Sequence, residues 1–199
     1  MKKLKYIVAA YAVFAAFAYT FTAFDNRAFS GQEEPDVSAL QEKAQSAIMN
    51  FQKALKGELM AAMQKGGPKA AVEICNEKAP QIAEKINLDE NVIISRTSLK
   101  VRNPGNAPDD WEKKTLQNFE KRKTGGEAIK TMNASQYDGE TFTYMKPIPM
   151  MGMCSACHGT NVSKPLYEHI SQYYPDDKAI GFKPGDIRGA FVVQISSEN

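Results

Sequence analysis

Val92-Ile93-Ile94-Ser95-Arg96-Thr97-Ser98-Leu99-Lys100-Val101, then Arg102-Asn103-Pro104-Gly105-Asn106, then Ala107-Pro108-Asp109-Asp110-Trp111-Glu112, reads as strand, turn and helix start in succession. The first ten residues are β-rich, and the next five carry turn chemistry. Pro108, Asp109, Asp110 and Glu112 form the acidic first turn of a helix that carries Trp111, Leu116 and Phe119 inward.

The chain before this stretch is helical. Leu40, Ala44, Ala47, Ile48, Phe51 and Leu55 recur at helical spacing, which predicts a long amphipathic helix from about Asp36 to Met63, ended by Gly66-Gly67. Pro68 suits the first turn of a second helix, on which Val72, Cys75, Ala79 and Ile82 share a face. Cys75 is therefore expected to face inward. Pro80 is expected to bend or interrupt that helix. After Gly125-Gly126 come short β-like pieces at Glu127–Met132 and Thr141–Met145, a cysteine-containing segment, a short helix near Leu166–Tyr173 and an apolar strand at Arg188–Ile195. Helices first and strands later predict an α+β domain with an antiparallel sheet.

The cysteine segment is Cys154-Ser155-Ala156-Cys157-His158, the C-x-x-C-H attachment pattern of a c-type haem. Two thiols one helical turn apart reach the two vinyl groups of one porphyrin, and the adjacent imidazole is carried under the ring to bind iron. A thioredoxin-type redox pair or half a zinc site would not need the histidine, and no second Cys/His cluster exists in the sequence. Cys154 and Cys157 are therefore expected to bind haem c, with His158 as the proximal iron ligand.

The second axial position is open to several residues. His169 follows His158 closely on the same side of the attachment segment, so reaching the opposite face would need a tight loop. Met145, Met150, Met151 and Met153 precede the motif and would make a higher-potential carrier, although clustered methionines also pack against apolar cofactors. Cys75 is the one thiol left over. It stands on a distant helix and could approach from the distal side, or be a small core residue or an interchain disulfide partner.

Basic Lys2, Lys3 and Lys5 precede an uncharged run from Tyr6 to Phe24, the order of an export signal. Residues 1–30 are expected to be a signal peptide or a retained N-terminal membrane anchor. Ala16-Phe17-Ala18 and Ala28-Phe29-Ser30 offer cleavage sites, and the run approaches the ~20 residues that span a bilayer. Residues 31–36 form a polar spacer, and 37–199 one domain, localised to the periplasm as a soluble or anchored protein. There are 25 basic and 23 acidic residues, or 22 and 23 without the three leader lysines, so there is no nucleic-acid footprint.

Several stretches together resemble a known family: Ala71-Val72-Glu73-Ile74-Cys75 with Ala79-Pro80, Arg96-Thr97-Ser98, Arg102 to Asp109 with Trp111-Glu112, the C-x-x-C-H motif with Gly159, and Gly181 to Ala190. It is the exported single-haem c-type family with a PAS-like fold, long known as a domain of unknown function and also found as the haem sensor part of histidine kinases and chemotaxis receptors. The resemblance runs from about Val37 to Ile195. It implies a PAS-like antiparallel sheet with a long N-terminal helix and flanking helices, one haem c on Cys154 and Cys157, and axial ligation by His158 and the Cys75 thiolate. This chain ends at Asn199 with no kinase or methyl-accepting segment, so a signal is expected to pass to a separate partner.

Arg96, Arg102, Asn106 and Trp111 have two readings: they line the haem edge and pair with its propionates, or they form a structural turn and helix start. The function expected is a redox or diatomic-gas sensor with NO or CO as ligand. The alternatives are a low-potential electron-transfer cytochrome and, third, a class II helical-bundle cytochrome c. No distal His/Arg or carboxylate constellation for catalysis is visible, so no enzymatic role is expected.

Overall fold

The computed structural model describes residues 36–196; the leader at 1–30 and most of the spacer lie outside them. Helix α1 covers Val37–Glu90, 54 residues, with Gly67 as its one non-helical residue. A straight helix would separate Asn50 from Glu90 by about 60 Å at 1.5 Å per residue. Instead Asn50 Nδ2 donates to Glu90 Oε1 at 2.6 Å. α1 is thus a hairpin of two antiparallel arms, reversed at Gly67, whose φ of 69° and ψ of −160° belong to a region open essentially to glycine alone. Asp36 caps the first arm, accepting from the backbone N–H groups of Ser38 and Ala39. The expected break at Pro80 does not occur: Pro80 is exposed and the second arm runs through it.

The second arm feeds directly into β1 (Ile93–Thr97) through left-handed Asn91, while Asn87 Oδ1 accepts from Ile94 N at 2.8 Å. α2 (Asp110–Thr124) opens with a capping box in which Glu112 N donates to Asp109 Oδ1 at 2.7 Å and Asp109 N to Glu112 Oε2 at 3.2 Å. The strand expected at Glu127–Met132 is instead a 3₁₀ turn, Ile129–Thr131, and strand β2 lies just beyond it at Ala134–Tyr137. β3 (Thr141–Pro149) extends past the expected Met145 and includes two prolines. α3 (Ser155–His158), α4 (Lys164–Tyr173) and β4 (Ile187–Ser196) complete the order.

The four strands form one antiparallel sheet in the order β1-β4-β3-β2. This is an α+β fold, and its sheet excludes the helical-bundle alternative. Alternation sorts the strand residues onto two faces. Phe142, Tyr144, Phe191, Val193 and Ile195 pack under both arms of α1, against Ile48, Phe51 and Ile86. Met145, Ala190 and Val192 face the other way, against Leu116 and Phe119 of α2. Phe51 meets Phe191 edge to face, with ring centroids 5.9 Å apart. Among the described residues no helix is long and apolar enough to cross a membrane.

Gly189 sets how closely β4 approaches the end of β1. A Cβ there would run into the Thr97 carbonyl oxygen. The adjacent Arg188 carbonyl accepts from Ser98 Oγ at 2.8 Å, which fixes where Arg188 leaves the sheet.

Candidate functional site

The C-x-x-C-H segment follows β3 as a 3₁₀ turn, Gly152–Cys154, running into the single turn of α3. Its entry is held by Met150 N donating to Asp186 O at 2.8 Å and Gly185 N to Met150 O at 2.9 Å. Gly159 closes the turn, its N–H donating to Ser155 O at 3.0 Å, and a Cβ at Gly159 would collide with that same oxygen. All three cysteines are free thiols and half-buried. Cys154 packs beside Met150, Ala179 and Phe182, and Cys157 beside Val72, Leu166, Ile170 and Tyr174.

His158 is clamped from behind. Phe182 N donates to His158 O at 3.0 Å and Gly181 N to Gly159 O at 2.9 Å, so residues 179–182 run alongside the motif. The imidazole Nδ1 lies 2.7 Å from Ala179 O and 3.2 Å from Arg188 Nε. One ring nitrogen cannot donate to the first and accept from the second. The shorter contact to a carbonyl requires a proton on Nδ1, so the lone pair is on Nε2, the arrangement that second-shell bonding gives a metal-binding histidine. Burial, reinforced by Arg188 and Arg102, holds the imidazole well below its ordinary pKa, so the ring is neutral.

Cys75 reaches the same neighbourhood from the second arm of α1. Burial pushes its thiol up, while Arg96, Arg102 and Arg188 pull it the other way. His158 feels the same three arginines, and Cys157 lies within electrostatic reach of Cys75. Arg96 stands over the Phe51 ring, 5.4 Å from its centroid, and its guanidinium has no hydrogen-bond or ion-pair partner among the described residues. Arg188 is pushed down to about 10 by burial first and by Arg102 and Arg96 next. Arg102 donates through Nη2 to Cys157 O at 2.6 Å and to Asp177 Oδ2 at 3.0 Å, while its buried Nε has no partner.

Three guanidiniums thus converge on Cys75 and His158, and one carboxylate, Asp177, pairs with Arg102 and lies within electrostatic reach of Arg188. Buried cations are costly unless matched by negative charge, so the cluster suits a group bringing carboxylates or stabilising a thiolate. Two thiols on one turn, a neutral imidazole with a free Nε2 lone pair, a third thiol from a distant helix and a cationic lining are together a donor set that fits haem c. Among the described residues no three His, Cys, Asp or Glu side chains group as they would on a bare metal ion.

The other sequence candidates are spread over the turn before α2, the α2 core, the attachment segment and α4. Asn106 sits in the turn, its carbonyl accepting from Thr97 Oγ1 at 3.2 Å, and Trp111 packs with the α2 core on the opposite face of the sheet. Met145 belongs to that same core. Met150 is buried against Cys154, while Met151 and Met153 are exposed. His169 lies edge to face with Tyr173, with Nε2 3.7 Å from Glu73. Arg188, Asp177 and Ala179 were not singled out by sequence as site residues. Arg188 lies in the Gly181–Ala190 stretch, but Asp176-Asp177-Lys178 reads as a solvated charged loop.

Residues 26–196 match the profile of a family described as Tll0287-like. A crystal structure of the cyanobacterial heme-protein Tll0287 is similar, at 25% identity with a TM-score of 0.60, over 80% of this chain and 96% of that one. No curated protein matches.

Proposed function

The chain belongs to the Tll0287-like family, and on that premise we propose that it carries one haem c in the cell envelope and acts as a redox or diatomic-gas sensor. Cys154 and Cys157 would hold the group through thioethers, with His158 and Cys75 as the two axial ligands. Bound there, haem supplies a one-electron ferric/ferrous couple and, where an axial position opens, a site for NO or CO.

The observation that carries the reading is the convergence of Cys75 and the motif on the same three arginines, although they come from opposite ends of the domain. His158, hydrogen-bonded through Nδ1 and clamped along its backbone, is the fixed side. Cys75 is the side able to move. Its burial favours a neutral thiol whenever it is unbound, so its release takes up a proton at Sγ, and its departure displaces the second arm of α1. That displacement is the output offered to a separate signalling partner. On this reading the protein works in the periplasm, soluble or anchored through its N-terminal segment, as the basic-then-apolar order of residues 2–24 suggests.

The test is the low-temperature EPR spectrum of the ferric full chain, matured in a host competent for c-type haem, beside Cys75→Ser. A low-spin signal of narrow g-spread that vanishes in the variant supports thiolate ligation; an unchanged spectrum removes Cys75 from the site. The second reading, a low-potential electron-transfer protein, is favoured by the exposure of Met151, Met153 and Ala156, which brings the attachment segment to the surface. It predicts Cys75 bound in both redox states and no diatomic ligand. Neither reading includes enzymatic turnover, and steady consumption of peroxide would count against both.

A further inference from the structure

We propose that the buried Arg102–Asp177 ion pair is a positioning pair for His158, fixing the acceptor of its Nδ1 proton and thereby which ring nitrogen is left to bind iron. The proposal rests on the haem reading for its purpose, but not for its geometry. The two side chains are 9% and 1% exposed. From Asp177 the connection runs outward: Oδ2 accepts from Arg102 Nη2 at 3.0 Å, and Oδ1 accepts from Ala179 N at 2.8 Å. The carbonyl of that same Ala179 accepts from His158 Nδ1 at 2.7 Å. Arg102 closes the circuit by donating to Cys157 O at 2.6 Å, one residue before the imidazole. Motif backbone and imidazole acceptor are therefore both referred to one guanidinium.

Two features distinguish this from loop packing alone. First, the segment already has other fastenings, Lys178 N to Val101 O at 2.9 Å and Lys100 Nζ to Ile180 O, neither of which touches Ala179. Second, Arg102 stays buried with its Nε unpaired, a cost that a loop fastening would not need. Arg188 Nε, 3.2 Å from Nδ1, competes for that nitrogen. If Ala179 O moved away, Nδ1 would accept from Arg188 and the proton would shift to Nε2, leaving no lone pair for a metal.

The experiment follows the His158 ring directly, in the full chain carrying ¹⁵N-histidine, both unloaded and haem-loaded, with signals assigned against His169→Gln. Wild type is expected to show a single Nδ1–H tautomer when unloaded and a slowly exchanging Nδ1 proton when loaded. Arg102→Gln and Asp177→Asn are expected to give mixed tautomers and at least about tenfold faster exchange, the factor expected for losing a charge-assisted hydrogen bond, and Arg102→Lys an intermediate result. Lys100→Gln, which loosens the same segment without touching the relay, is expected to leave both readouts unchanged. The proposal is overturned if folded Arg102→Gln and Asp177→Asn keep the wild-type tautomer and exchange rate, or if Lys100→Gln shifts them equally. Should Arg102→Gln fail to fold, the near-isosteric Asp177→Asn decides. Haem content is scored separately by pyridine haemochrome: a wild type that takes up no haem defeats the proposed function and leaves the tautomer result standing.

Discussion

The core beneath α1 and the cluster around Cys75 share a helix and lie at the same sheet, yet they obey different rules. In the first, Ile48, Phe51, Phe142 and Val193 are buried with apolar partners on every side. In the second, three arginines gather about Cys75 and His158 with a single aspartate paired to Arg102, whose buried Nε has no partner. Phe51 belongs to both, with one edge on Phe191 and its face under Arg96. The contrast shows where folding free energy is concentrated and where it is given up: an excess of buried positive charge is a cost that a matching anionic group would relieve.

The largest effect should come from the shared residue. Phe51→Ala is expected to cost about 3–5 kcal/mol in denaturant unfolding, and to disturb the arginine side as well because Arg96 loses its ring. If the site's spectroscopic properties survive that change intact, the two regions are more independent than the shared ring implies. Gly67→Ala comes next. It forces a side chain into a glycine-only conformation and should cost about 1–3 kcal/mol, loosening the pairing of the two arms and with it the Asn50–Glu90 contact.

Arg96→Met should act in the opposite direction. Removing a half-buried cation that has the Phe51 ring beside it but no ion-pair partner is expected to stabilise the unloaded chain by about 1 kcal/mol while weakening retention of an anionic ligand. Loss of stability in the unloaded chain would mean the arginines are already matched. The smallest effect concerns Asp186, which accepts from Lys183 N at 2.8 Å and Lys123 Nζ at 3.0 Å. These bonds hold its carboxyl below the usual value, the backbone donor most of all. A depressed folded pKa contributes stability above the unfolded value near 3.9, lost as pH falls through the folded one. Asp186→Asn should therefore flatten the acid limb of the stability curve and leave the site unchanged.

Much of the core side was legible in the sequence because it is written in periodicity. Gly66-Gly67-Pro68 marked the reversal of α1, and the apolar spacing of Ala44, Ile48 and Phe51 marked the face it buries. β2 was not legible: Ala-Ser-Gln-Tyr has no apolar alternation, is largely exposed, and owes its strand to backbone pairing with β3. The far end of β3 was not legible either, because Pro147 and Pro149 are residues that strand interiors usually exclude. Pro80 misled in the other direction, since an exposed helix face tolerates the missing donor. On the site side the motif and Cys75 stood out by residue type. Asp177 and Ala179 did not, because their roles lie in a carboxylate turned inward and a main-chain carbonyl, neither of which composition reveals.

The sheet order β1-β4-β3-β2 also fixes a sequence of events in time. β4 follows every other strand along the chain, yet it sits between β1 and β3. As the polypeptide emerges from its N-terminal side, β1 has no strand partner and α1 no complete floor until residues 187–196 arrive. The cysteine pair at 154 and 157 precedes them, so it is presented on an open, unfinished chain. Any covalent tailoring of those thiols has its easiest access in that interval, before the strand that seals the domain is in place.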